Sequence, residues 1–121
     1  MQTVADAPLQ AVVEAPSFRR TASAFLSEEE IQAVLLVLAA NPFKGRLIKG
    51  AGGVRKVRIP AKGKGKSGGA RVVYYWYSDD EPIHALLAYP KNQKTDLTPA
   101  EAKIVAEIAK QIAAEAKRKK P

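Results

Sequence analysis

The segment VRKVRIPAKGKGKSGGARVVYYWY, Val54–Tyr77, sets two β-branched runs on either side of a loop rich in glycine and lysine. The first run, VRKVRI, alternates apolar with basic residues, the period of a strand with one buried face, and Pro60 closes it. The second, ARVVYYWY, is dense in residue types that suit a pleated surface. Two such runs joined by a loop predict an antiparallel hairpin. Alternation puts Lys56 and Arg58 on one face of the first strand, with Val57 and Ile59 on the other. Arg71, Val73, Tyr75 and Tyr77 share a face of the second strand. With matching register, Lys56, Arg58 and Arg71 converge on a face free of helices, with Tyr75 close by.

Outward from the hairpin, SDDEP turns the chain into a further strand, IHALLAY, which Pro90 interrupts. Upstream, LQAVVEA reads as a short strand stopped by Pro16, and SFRRTASAFL as a short helix. Ser27 followed by Glu30 forms a capping box, in which hydroxyl and carboxylate each satisfy a free N–H at a helix start. Ile31, Val34, Leu35 and Leu38 then recur at helical spacing until Asn41–Pro42. GRLIKGAGG is a glycine-rich connection. Thr98-Pro99-Ala100-Glu101 repeats the capping box with proline at the favoured first helical position. Ile104, Ile108 and Ile112, with Val105 beside them, predict an amphipathic helix that frays in KRKKP. The order strand, helices, three strands, helix predicts an α+β fold: a small antiparallel sheet packed against two N-terminal helices and a C-terminal helix, with helices on one face. Residues 1–10 are expected to be a flexible tail, 11–117 a single domain and 118–121 a basic tail.

A chain of 121 residues has room for one core, and 46 % hydrophobic content argues for a globular protein over a disordered one. The absence of cysteine excludes disulfides, thiolate zinc sites and thiol nucleophiles. The longest apolar run, Ala33–Ala40, falls far short of the about 20 residues that span a bilayer. The N-terminus MQTVADAPLQ lacks the basic and apolar regions of a secretory signal, so a cytoplasmic protein without membrane contact is expected.

Charge carries the first functional hint. The formal net charge is +8, and no Asp or Glu occurs between Ile31 and Ser78. That span holds Lys44, Arg46, Lys49, Arg55, Lys56, Arg58, Lys62, Lys64, Lys66 and Arg71. Acids are confined to SEEE, DDE and the terminal segments. Solubility does not require such exclusion, whereas a phosphate backbone attracts it. Three cations and an aromatic ring on one sheet face suit RNA, whose phosphates bind cations and whose bases stack on rings.

Other chemistries fit poorly. Gly63, Gly65 and Gly68 match G-x-G-x-x-G, but a strand rather than a helix follows, so no pyrophosphate site is built. A phosphate-binding P-loop would need glycine where Pro60 stands, and the chain lacks the catalytic and magnesium motifs of a kinase. The glycines keep a hairpin loop free of bulk, with Lys62, Lys64 and Lys66 as point charges. The sole histidine, His84, sits in a strand, and the acidic clusters are explained by capping and turn formation. No metal or other cofactor is expected.

The chain resembles the RelE/HigB-type toxins of bacterial type II toxin–antitoxin systems, over about Val12 to Ile112. The resemblance rests on residues in order: Gly52, Gly53, Val54, Arg55, Lys56 and Arg58; then Arg71 to Tyr75; then Tyr89, Lys91, Asn92, Asp96, Leu97, Thr98 and Glu101. It implies a RelE-like, microbial-ribonuclease-type domain that cleaves messenger RNA in the ribosomal A site, inhibits translation and is neutralised by a cognate antitoxin. The family's catalytic cations carry over best onto Lys56, Arg58 and Arg71, with Lys91 and Lys94 as weaker matches. Arg55, Lys62, Lys64, Lys66, Lys91 and Lys94 are the expected RNA-binding cations. Some relatives place a catalytic tyrosine where this chain has Thr98, so either Tyr75 or Tyr89 substitutes or cleavage proceeds without it; Tyr75 joins the expected catalytic set. In a metal-independent RNA cleavage of this kind, a ribose 2′-OH attacks the adjacent phosphodiester. Arg58 and Arg71 would balance the transition-state charge, and Lys56 would act as base. Two alternatives share the scaffold and charge: a ParE-like inhibitor of DNA gyrase, and a non-catalytic nucleic-acid-binding module.

Overall fold

The computed structural model describes residues 9–60, 69–93 and 96–119. The expectations for residues 1–8, for Lys62, Lys64, Lys66 and the loop glycines Gly63, Gly65 and Gly68, for Lys94 and for the last two residues lie outside the described residues.

The chain runs β1 (Val12–Glu14), α1 (Pro16–Ser23), α2 (Glu28–Ala40), β2 (Arg46–Leu47), β3 (Val54–Ile59), β4 (Ala70–Tyr75), β5 (Ile83–Pro90) and α3 (Pro99–Lys119). The strands form one five-stranded sheet in the order β1-β5-β4-β3-β2. The fold is α+β, and the β3–β4–β5 meander is antiparallel as its short connections require. The sheet as a whole is mixed, because β1 pairs with β5 in parallel, Val12 against Ile83, after the chain has crossed over through both N-terminal helices. The connection GRLIKGAGG also contributes the edge strand β2, where Arg46 opposes Lys56.

Both capping boxes form. Glu30 N–H donates to Ser27 Oγ at 3.1 Å and Ser27 N–H to Glu30 Oε1 at 2.8 Å. Glu101 N–H donates to Thr98 Oγ1 at 3.1 Å and Thr98 N–H to Glu101 Oε1 at 2.9 Å. α2 buries Ile31, Val34, Leu35 and Leu38, the residues its spacing singles out. With Phe18 and Ala22 of α1 they cover Val57, Ile59, Val72, Tyr74 and Ile83 on one face of the sheet. Full burial of a side chain the size of Phe18, Ile31 or Leu38 contributes about 1.5–3 kcal/mol.

Helices do not keep to that face. α3 packs Val105 and Ala109 against Val54, Val73, Tyr75, Leu86 and Tyr89 on the opposite side, so the expected helix-free face is partly roofed. The buried line of α3 is Val105, Ala109 and Ala116, and Ile104 is exposed. The helix lies close to Gly52, where φ is +67° and a β-carbon would stand 3.7 Å from the Ala106 carbonyl oxygen. Arg118 and Lys119, placed by the sequence in a tail, continue the helix.

A register shift in β5 positions the site. Val73 pairs with Leu87 but Tyr74 pairs with Ala85, leaving Leu86 as an extra residue. β1 stops pairing at Ala85, and two hydroxyls of α1 take over the strand edge. Ser17 Oγ donates to the Leu86 carbonyl at 2.6 Å, and Ala88 N–H donates to Thr21 Oγ1 at 3.0 Å. The bulge reverses the alternation of the strand beyond it, so that Tyr89 joins the α3 side with Val73 and Tyr75.

Candidate functional site

Arg58 and Arg71 are Cα partners across β3 and β4, and Arg71 is the Cα partner of Tyr89 across β4 and β5. The three make a row over adjacent strands, which lie about 4.8 Å apart in a regular sheet. Two residues along, Lys56 opposes Val73 on the same face. Lys91 closes the end of the row: its N–H donates to the Gly69 carbonyl at 3.3 Å. A β-carbon on Gly69 would stand 3.7 Å from Lys91 Cδ and 3.9 Å from Arg58 Nε, so both side chains pass over this glycine.

The row is electrostatically costly. Like charges directly opposite one another destabilise a sheet, yet arginine faces arginine here. Among the described residues, no carboxylate forms an ion pair with either. Arg71 Nε is buried without a hydrogen-bond partner, an unused donor of the kind that folded proteins usually avoid. Lys56 differs, since its Nζ contacts Asp96 Oδ1 at 2.6 Å. The Lys56 side chain is 23 % exposed and Asp96 79 % exposed, so the pair sits at the surface of the site. Asp96 lies two residues before Thr98, which ties the pair to the capped start of α3.

Tyr89 is buried, and burial pushes its phenol pKa up; Arg71 pulls it down, while Asp96 and Glu101 push it further up. The balance is upward, so the phenol keeps its proton at neutral pH and is a donor. Tyr75 stands elsewhere. It is four residues further along β4 than Arg71, about 13 Å at a normal strand rise, opposite Val54 and His84. Its ring edge lies 3.2 Å from where a β-carbon of Gly53 would be, under the roof of α3. Of the two tyrosines the sequence leaves open, the structure brings Tyr89 to the arginines.

Arg55 turns to the other face. It donates to the Gly45 carbonyl at 2.8 Å and lies 5.2 Å over the Phe43 ring, which packs edge-on against Trp76 at 4.7 Å. Tyr74 joins it in holding the α2–β2 connection, donating to the Pro42 carbonyl at 2.7 Å and accepting from Gly45 N–H at 2.9 Å. Arg55 is therefore separated by the sheet from Lys56, Arg58, Arg71 and Lys91. His84 lies across from Tyr75, away from the row. Burial lowers its pKa, and Glu81 and Lys119 are the charged groups nearby.

Sequence reasoning found the three cations of the sheet face and Lys91. It weighed Tyr89 without placing it, because the bulge that moves it leaves no signature in IHALLAY. It matched Asp96 only as part of a motif. Ser17 and Thr21, one helical turn apart on α1, were missed as the groups that hold the bulge. Among the described residues no three His, Asp or Glu side chains gather to hold a metal, and no helix is long and apolar enough to cross a membrane.

Among the described residues, three helices on a five-stranded mixed sheet, with a cationic row at one end of one face, define a small α+β protein. A family model, the RelE toxin of the RelE / RelB toxin–antitoxin system, matches residues 12–120. The chain belongs to the RelE toxin family, and an antitoxin partner comes with that membership.

Proposed function

We propose that the protein is a ribosome-dependent endoribonuclease that cleaves translated messenger RNA without a metal ion and so inhibits translation. The observation that carries this reading is the Arg58–Arg71–Tyr89 row, with its unpartnered buried Arg71 Nε. Guanidinium groups stay charged and grip phosphate oxygens through two donors, so the two arginines hold the scissile phosphate and stabilise the charge that grows on it. The 2′-hydroxyl attacks phosphorus and releases its proton to solvent water, the bond to the 5′-oxygen breaks, and the Tyr89 phenol donates its proton to that leaving oxygen. Lys56, engaged by Asp96, serves as a fixed cation beside the phosphate rather than as the free base that sequence reasoning assigns to it. Lys91, the loop lysines Lys62, Lys64 and Lys66 of the basic span, and Lys94 hold the flanking backbone in the cytoplasm's ribosome–message complex. Family membership supports this reading, since RelE toxins are generally endoribonucleases.

A reconstituted translation reaction tests it. Ribosomes carrying a defined message are mixed with the purified protein or with Arg71→Ala, and RNA ends are mapped. Cuts within the translated codons by wild type and their loss in the variant support the assignment. Intact message with wild type contradicts it.

A further inference from the structure

Helix α2 is apolar on every side from Ala33 to Ala40, although Val34, Leu35 and Leu38, with Ile31 before them, are its only buried residues. A helix apolar all round is normally buried all round. Glu29, Ala33, Leu36 and Ala40 lie opposite the buried line and are exposed, Leu36 by 56 %. Their spacing of four, three and four residues is that of a coiled-coil seam. Leu9, also exposed, extends the patch at the end of the helix, where Gln10 N–H donates to the Ala39 carbonyl at 3.1 Å. The two ends of the seam differ in charge. Glu28, Glu29 and Glu30 open the helix, which holds no Lys or Arg. Lys44 follows its other end, exposed, with its N–H donating to the Asn41 carbonyl at 3.1 Å.

We infer that a second copy of this chain docks on this face, α2 against α2, antiparallel about a two-fold axis between Ala33 and Leu36. The face is self-complementary, as a two-fold interface requires. Each Leu36 falls over Ala33 of the other copy, large against small, and the alanines let the helix axes approach to about 8 Å. Glu29 of each copy comes to the end of the other helix, where Lys44 stands, and the antiparallel helix dipoles attract. An acidic partner finds no cation on this helix and meets Glu29 instead. The face lies across the sheet from Lys56, Arg58 and Arg71, so the dimer leaves that row uncovered in both copies. One face of a 13-residue helix is small beside the about 800 Å² per partner of a standard interface, so the dimer dissociates on dilution. The inference holds whether or not the row cleaves RNA.

The test is sedimentation velocity of the purified protein, freed of antitoxin, over about a hundredfold range of concentration. Wild type is expected to pass from monomer to dimer across the range. Leu36→Glu, at an exposed position that leaves the core untouched, is expected to stay monomeric, with the melting temperature of wild type at low concentration. Glu29→Lys is expected to weaken dimerisation about tenfold by bringing like charges together, and adding Lys44→Glu to it is expected to restore the dimer. Wild type that is monomeric throughout overturns the inference, and so does a dimer that Leu36→Glu leaves intact. A double variant that associates no better than Glu29→Lys overturns the antiparallel pairing and the inference with it. A monomeric wild type whose Leu36→Glu variant no longer binds coexpressed antitoxin assigns the face to that protein and overturns the inference as well.

Discussion

Arg58 and Arg71 oppose each other Cα to Cα across β3 and β4 on one face of the sheet, and Arg71 Nε is buried with no hydrogen-bond partner among the described residues. A fold selected for stability alone would place a β-branched residue or an opposite charge at one of the two positions. On the proposed function the pair trades stability for anion binding, and the two effects separate by mutation. Arg58→Thr is expected to raise stability by about 0.2–1 kcal/mol through relief of like-charge repulsion, and to lower RNA cleavage by about 100-fold or more. Urea denaturation and message cleavage, measured on one preparation, check both directions.

Tyr89 and Tyr75 are distinguished by the bulge at Leu86. Tyr89→Phe removes the phenol proton donor and is expected to reduce cleavage by about 100-fold or more while the fold is kept. Tyr75→Phe, whose ring lies under α3 about 13 Å along the strand from Arg71, is expected to cleave as wild type does. Single-turnover rates for both variants decide between them.

The bulge itself depends on α1. Ser17→Ala leaves the Leu86 carbonyl without the 2.6 Å donor it has now and is expected to cost about 1–3 kcal/mol. Because the bulge sets which face Tyr89 occupies, the variant should also lose cleavage beyond what its lower stability explains at a temperature where it is fully folded. Equal activity at that temperature would show that Ser17 supports the fold alone.

His84 makes stability depend on pH. Burial lowers its pKa in the folded state, so the unfolded chain binds this proton more readily. The contribution of neutral His84 is complete above the unfolded value of about 6.5 and is lost as pH falls through the folded value. Glu81 favours the charged form and Lys119, with the larger burial effect, opposes it. The melting temperature of wild type is expected to fall more steeply between pH 7 and pH 5 than that of His84→Gln, with pH values about those of ordinary histidine titration. Parallel curves would show that His84 titrates alike in both states.

Local chemistry made much of this legible in sequence. Ser27/Glu30 and Thr98/Glu101 announce their helices because a capping box is complete within four residues. The β3–β4 pairing follows from alternation, and with it the meeting of Lys56, Arg58 and Arg71. What escaped depends on distant partners. The parallel place of β1 is fixed by a crossover, the buried line of α3 by the sheet face it packs on, Val54, Val73, Tyr75, Leu86 and Tyr89, and the face of Tyr89 by hydroxyls on a helix roughly 70 residues earlier. Arg55 reads as one more cation of the basic span, yet its partners Gly45 and Phe43 lie on the far side of the sheet.

The central claim is that the cationic row cleaves RNA. Mapping transcript 5′ ends and DNA breaks in cells, after brief induction of wild type or Arg71→Ala without antitoxin, tests it most directly. The account predicts new transcript ends within translated codons for wild type, their absence in Arg71→Ala, and unbroken DNA in both. Intact transcripts with double-strand DNA breaks, or codon cuts that persist in Arg71→Ala, would contradict it.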